Sequence, residues 1–460
     1  MGNKKNAWLK FDNTKKEEIF SFCEGYKKYI SDCKTERESI KEAIYLAESK
    51  GYRDLKNVIS SGKSLKAGDK VYYNNMDKSL ALFLIGSESI ESGMRIIGSH
   101  VDSPRLDLKP NPLYEDSELS LMETHYYGGV KKYQWVTIPL ALHGVVVKKD
   151  GTKIDVVVGE EETDPVVMVS DLLVHLASEQ QQKKATEVIA GEDLNILVGS
   201  MPLEGEEKEA VKANILKLLK EKYDFEEEDF MSAEIEIVPA GKARDLGLDR
   251  SMVAGYGHDD RICAYTSLLA LLETESTKKT SVVLLVDKEE VGSIGATGMQ
   301  SRFFENAVAE LMDRVGEYSE LKLRRALANS KMLSSDVTAA FDPNYAGAYE
   351  KKNSAFFGKG LAFAKYTGAR GKSGCNDANA EFVAWLRNVM DENDVAYQMA
   401  ELGKVDQGGG GTIAYILAEY GMEVIDCGVA LQNMHAPWEV ASKVDIFETM
   451  RGYKAFLMAE

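Results

Sequence analysis

The chain is poor in the features that would mark it as exported, membrane-bound or nucleic-acid-binding. It has five cysteines in 460 residues (Cys23, Cys33, Cys263, Cys375, Cys427). They are odd in number, widely spaced and without a C-x-x-C pair, so neither a disulfide framework nor a structural zinc knuckle is expected. Reduced thiols in a cytoplasmic setting are expected instead. No apolar run reaches the roughly 18 residues of a membrane helix, and the lysines near Met1 precede no apolar stretch of signal-peptide length. Basic residues are outnumbered, with 56 Lys and Arg against 74 Asp and Glu and a net charge of -18. That balance argues against a phosphate backbone as partner, since nucleic-acid binders carry a basic footprint. The chain also lacks internal repeats and long low-complexity tracts. Its one charge-rich stretch, Glu204 to Asp229, carries Val211, Ile215, Leu218, Leu219 and Phe225 on a helical apolar face.

What is present suits a large soluble enzyme. The length allows about three domain-sized units, and 44% hydrophobic content is ordinary for globular folds. Apolar spacing predicts helices over Lys15 to Ile30 and Glu36 to Lys50, then strands over Lys70 to Asn75, Ser79 to Ile85 and Met94 to Gly98. The texture changes near Pro110 to Asp116. Trp135 to Pro139, Leu142 to Lys148 and Ile154 to Val158 read as β-rich, with helices over Asp164 to Ser178 and Glu206 to Tyr223 and a strand over Ala233 to Val238. From Leu246 onward strands alternate with helices: Ile262 to Leu272, Ser301 to Leu311, Asp377 to Val389 and Gly411 to Tyr420 as helices, Ser281 to Val286, Met332 to Ser335 and Glu423 to Val429 as strands. Such alternation implies a parallel or mixed sheet covered by helices on both faces. The expected architecture is one α/β domain, residues 1–112 plus 245–460, interrupted by an inserted block at 113–244.

Five short motifs place metal-ligand side chains next to strand ends or at a helix start. They are Gly98-Ser-His100-Val-Asp102-Ser-Pro104, Gly257-His-Asp259-Asp260-Arg261, Asp287-Lys-Glu289-Glu290-Val-Gly292, Ser334-Ser-Asp336-Val-Thr338 and Asn433-Met-His435-Ala-Pro437. Each alone has a plainer reading: His100 as a loop histidine, Asp259 and Asp260 as acids at a helix N-terminus, Asp336 as a turn former, His435 as the cap of a helix near Pro437. Glu289-Glu290 differs, because adjacent acids after the apolar Val282 to Val286 run repel unless a cation or a proton intervenes. Two imidazoles and at least three carboxylates suit a pair of divalent cations such as zinc, cobalt or manganese, and sites in α/β sheets gather at the carboxyl ends of strands. A metal hydrolase is the reading that uses all five.

In this order the five motifs resemble the M18 family of zinc aminopeptidases, to which aspartyl aminopeptidase belongs. Tyr127-Gly-Gly129 followed by Trp135 is similar to a segment at the start of that family's inserted domain, and Gly408 to Thr412 to its Gly-Thr-rich segment before the last strand. The resemblance spans the chain. It implies a zinc-exopeptidase-like mixed sheet sandwiched by helices, with 113–244 as a β-rich dimerisation domain and assembly into a tetrahedral homododecamer. It implies two divalent metal ions per chain, zinc foremost, with His100 and Asp336 on one, Glu290 and His435 on the other and Asp259 bridging. Glu289 is then the general base and Asp102 the acid orienting His100. The implied reaction removes an acidic or neutral N-terminal residue from peptides by a metal-bound hydroxide. Against the aspartyl-aminopeptidase pattern, Lys288 and Asp260 stand for asparagines and Ala436-Pro437 for Ser-Ile. These replace no ligand and bear on first-residue preference. Asp260-Arg261 is also similar to the M42 aminopeptidases. Arg105, Lys109 and Lys372 are candidates to read an acidic side chain. The alternatives are a deacylase or carboxypeptidase of the same clan, and a non-catalytic assembly protein on this scaffold.

Overall fold

The computed structural model describes residues 5–460, so the first four residues of the expected catalytic segment lie outside it. The described chain divides into two compact units. One gathers residues up to Asp102, Ala243–Met434 and Glu439–Glu460; the other is Ser103–Lys242 with His435–Trp438.

The first unit is built on a nine-stranded mixed sheet. Its centre is Met94–His100, parallel to both Thr280–Val286 and Lys331–Ser335, with Glu423–Gly428 parallel beyond the latter. Ser79–Leu84 joins Thr280–Val286 antiparallel. Every residue of Met94–His100 and Thr280–Val286 is buried, as expected of strands covered on both faces. Strand period assigns the two faces. Ile97, Val283, Leu285, Leu333 and Ile425 pack with Leu268, Leu271, Val444 and Phe447 of the long helices His258–Leu272 and Lys443–Met458. Ile96, Val282, Leu284, Met332 and Val424 pack with Phe304, Val308 and Leu311 of the Phe303–Arg314 helix. Local signals agree with these positions. The Asp12 side chain accepts from Lys15 N ahead of Asn13–Asp32, and Thr35 with Glu38 forms a capping box on Glu36–Ser49. A five-stranded sheet in the same unit includes Met252–Gly255 and Glu439–Ser442.

The second unit is a seven-stranded sheet in which Arg105–Asp116 pairs antiparallel with both Leu119–Tyr127 and Ala233–Pro239. Two expectations fail here. Asp164 to Ser178 is not helical: it holds a two-residue strand, Met168–Val169, and turns. Leu172, Leu173, Val174 and Leu176 stay exposed, so the apolar stripe has no packing partner among the described residues, and short helices depend on such packing. Trp135 to Pro139 forms bends rather than a strand, with Trp135 itself fully buried and Thr137 at φ 59. Elsewhere, Gly411 to Tyr420 contracts to a helix over Ala414–Ala418. Residues after Pro437 form the strand Glu439–Ser442, not a helix capped by His435, because their backbone pairs with Met252–Gly255.

One buried acid ties the first unit's periphery to its core. Asp445 accepts from the amides of Gly358 and Gly360 at 2.7 Å each, and Gly360 can only be glycine because its φ is +77 and a Cβ would stand 1.9 Å from the Ala396 carbonyl oxygen. Asp445→Ala should therefore cost about 2–4 kcal/mol, leaving two buried N–H groups without acceptors. The measurement is the unfolding temperature followed by circular dichroism; an unchanged midpoint would show that the 358–360 turn is held by other contacts.

Candidate metal centre

Three adjacent strands end side by side, and the site stands where they end. Met94–His100 delivers His100, the turn after Thr280–Val286 delivers Glu289 and Glu290, and the residues after Lys331–Ser335 deliver Asp336. The helix His258–Leu272 brings Asp259 and Asp260 at its first turn. His100 is buried, and its Nε2 lies 3.1 Å from Asp259 Oδ1 and 3.9 Å from both Glu289 Oε2 and Asp336 Oδ1. Burial alone would lower the imidazole pKa, yet the carboxylates of Asp102 and Asp259 raise it well above its ordinary value. Asp336 is likewise pushed well up, by burial first and then by repulsion from Asp260, Asp259 and Glu289.

The tautomer of His100 follows from its hydrogen bond. Nδ1 lies 2.9 Å from the backbone carbonyl oxygen of Asp102, with the Asp102 carboxylate at 3.4 Å. A carbonyl only accepts, so Nδ1 carries a proton, and Nε2 is the ring atom that faces the acids. His435 repeats the pattern inside the second unit, where its Nδ1 is 2.8 Å from the Gly129 carbonyl oxygen. Both imidazoles thus turn Nδ1 to a backbone carbonyl, the arrangement that leaves Nε2 as the ring atom to meet a metal.

The Asp102 carboxylate has a second task. Its two oxygens accept separately from the backbone amides of Glu289 and Glu290, at 3.2 Å each. One carboxylate therefore fixes the turn that carries both glutamates. Glu439 does the same for Asp259, whose amide it accepts at 3.1 Å across 180 residues of sequence. No short motif announces Glu439, since its partner is remote in the chain.

The donor set fits divalent metal. Ligand atoms of His100, Asp260 and Asp336 lie within 4.8 Å of one another, as do those of His100, Glu289 and Glu290. Asp260 is fully buried beside the Cys263 thiol, and burial pushes its pKa well up. Such a gathering of acids in low dielectric is unfavourable unless protons or cations offset it. The three candidate cationic residues are otherwise engaged. Arg105 is paired with Asp107 and Glu236 and stacked over Tyr127, Lys109 is paired with Glu192, and Lys372 with Asp377. Lys288 Nζ lies 3.8 Å from Asp287, a buried acid raised to about 6 chiefly by burial.

The Asp102 contacts generate an expectation. Asp102→Asn replaces one accepting oxygen by an NH₂ that faces a backbone N–H, and the glutamate turn should shift. Zinc affinity, measured by competition with a chelator, should weaken about 10- to 100-fold, the usual cost of losing a group that orients ligands. Unchanged affinity would show that the turn keeps its shape without Asp102.

Comparison with known proteins agrees with this geometry. Residues 29–457 match the family model described as aminopeptidase I zinc metalloprotease (M18). A probable M18 family aminopeptidase 1 of Clostridium acetobutylicum is 66% identical over 454 residues, covering 98% of each chain. Its counterpart in Thermotoga maritima is 46% identical, covering 99% of this chain and 98% of that one. The crystal structure of an M18 aminopeptidase from Thermotoga maritima superposes with a TM-score of 0.95 at 45% identity and 99% coverage of both chains. That of aminopeptidase I from Clostridium acetobutylicum gives 0.93 at 64%, again with 99% coverage of both. A more distant likeness in fold is to the mApe1 dodecamer of S. cerevisiae, with a TM-score of 0.76 at 20% identity, covering 95% of this chain and 96% of that one. The chain belongs to the M18 family of zinc metalloproteases and is a metal-dependent aminopeptidase, a hydrolase.

Proposed function

We propose that the enzyme removes single acidic or neutral residues from the free N-termini of peptides with two divalent ions, zinc foremost. His100 and Asp336 would hold one ion and Glu290 and His435 the other, with Asp259 shared. The observation that carries this reading is the approach of Asp259, Glu289 and Asp336 to the Nε2 of one buried imidazole. Asp259 stands nearest, which suits a bridging role. When bound, the ions supply Lewis acidity and make water a stronger acid. The remaining work falls to the chain. Glu289 takes a proton from the attacking water on a carboxylate oxygen and returns it to the leaving amine nitrogen, while Asp102 holds its backbone in place. Deacylase, carboxypeptidase and non-catalytic readings are not favoured, because the relatives that match along the whole chain are aminopeptidases.

The cysteines are unpaired and four of the five are buried, which supports work in the reducing cytoplasm. Among the described residues no helix is long and apolar enough to cross a membrane. For assembly we propose a closed homododecamer built from dimers through the inserted unit, taken as residues 113–244. Support comes from the exposed Leu172, Leu173, Val174 and Leu176 of that unit and from the yeast relative solved as a dodecamer. Closed symmetry would bury such faces against identical copies.

Glu289→Gln should keep its metal and lose about 10²- to 10⁴-fold in kcat, the usual worth of a general base. Metal analysis and steady-state hydrolysis of unblocked against N-acetylated peptides decide it; metal loss in this variant with retention in Glu290→Gln would reverse the two roles. Light scattering tests the assembly. A mass near twelve chains is expected, and a stable monomer cleaving peptides at full rate would refute the shell.

A further inference from the structure

The glycine run Gly408 to Gly411 is only half explained by the fold. Gly408 is required by packing, since a Cβ there would stand 1.7 Å from the Leu402 carbonyl oxygen. Gly409 is required twice over, by a φ of +128 and by the Ala369 backbone, which a Cβ would meet at 2.5 Å. Gly410 and Gly411 are different. A Cβ on either would meet nothing within 4 Å, and neither has a left-handed φ. Nothing among the described residues requires glycine at these two positions, and a remaining physical reason for glycine is close approach of the backbone by a ligand.

The position of the run points the same way. Thr412, which ends it, donates to Asp426 Oδ1 at 2.6 Å. Asp426 is 2% exposed. Asp426 sits in register with Ser334, two residues before Asp336. Ile413 reaches to within 3.0 Å of a Cβ placed on Gly98, two residues before His100. The run therefore lies over the same strand ends that carry two of the proposed ligands. It is also held from behind: Gly410 N–H donates to the Thr367 carbonyl at 3.0 Å, and Tyr366 donates to Glu401 at 2.6 Å. Among the described residues, Gly411 N–H has no acceptor.

We propose that Gly410 and Gly411 form a substrate-binding surface that receives the main chain of the bound peptide, with Thr412 and Asp426 as the positioning residues that anchor it. The inference rests on the aminopeptidase reading above. Bare backbone accepts any side-chain sequence, because only the shared main chain of the peptide approaches it, and the Gly411 amide offers a donor for a peptide carbonyl. A side chain at 410 or 411 would fill the space the peptide needs without disturbing the enzyme.

The test compares Gly410→Ala, Gly411→Ala and the larger Gly411→Ser with Gly347→Ala, another glycine whose Cβ would meet nothing and whose φ is not left-handed. All four should keep the parent's unfolding temperature and metal content. For an unblocked tetrapeptide, the 410 and 411 variants should raise KM at least about tenfold, Ser more than Ala, with kcat within about threefold; Gly347→Ala should change neither. Calorimetry with a tetrapeptide whose first peptide bond is reduced to an amine supplies a readout independent of turnover, and its Kd should weaken in parallel. Unchanged KM and Kd in both Ala variants of an active enzyme would overturn the glycine proposal alone. A parent enzyme that binds the reduced peptide but cleaves no unblocked peptide would overturn the aminopeptidase reading, while the Kd comparison would still decide the role of the glycines.

Discussion

Repulsion among buried and half-buried carboxylates around His100 is the constraint on which the rest of this molecule depends. The buried Asp259 and Asp260 converge with the half-buried Glu289, Glu290 and Asp336, and like charges so close raise the cost of ionising one another. Asp260 and Asp336 are both pushed well up, by burial first and by neighbouring carboxylates after it. Divalent cations offset that cost directly, and a fold that holds such a cluster open is a fold prepared for metal.

The nine-stranded sheet makes that possible because its central strands are covered on both faces. Met94–His100, Thr280–Val286 and Lys331–Ser335 bury nearly all their side chains, so their ends are fixed by packing on two sides and cannot relax apart under repulsion. Turn geometry is then set by hydrogen bonds rather than by apolar contact. Asp102 holds the amides of Glu289 and Glu290, and Glu439 that of Asp259. Through these backbone amides, Asp102 and Glu439 place the acids of the cluster, which is how a site gains accuracy beyond its ligands.

The inserted unit follows a different logic. Its sheet is antiparallel, with alternating burial in Leu119–Tyr127 and Lys153–Val158, and it leaves apolar side chains at 172–176 in solvent. A sheet with one open side can support a surface for a second copy in a way that the doubly covered sheet cannot.

Local pattern determined much of this in advance. The buried runs Val282 to Val286 and Met332 to Ser335 could only be interior strands, the Thr35-x-x-Glu38 box marked a helix start, and the ligand types in five motifs pointed to metal before any coordinate. These are properties of short stretches, set by side-chain chemistry and period. Asp164 to Ser178 misled because a helical apolar stripe forms a helix only against a partner, and the described residues provide none for Leu172, Leu173, Val174 and Leu176. The strand after Pro437 was hidden because its stability comes from pairing with Met252–Gly255, far back in the sequence. In the same way, Glu439 beneath Asp259 and the grip of Asp102 on the glutamate turn were settled only by tertiary structure: hydrogen bonds between residues about 180 positions apart depend on how strands are ordered in the sheet, and strand order leaves no mark in a local stretch of sequence.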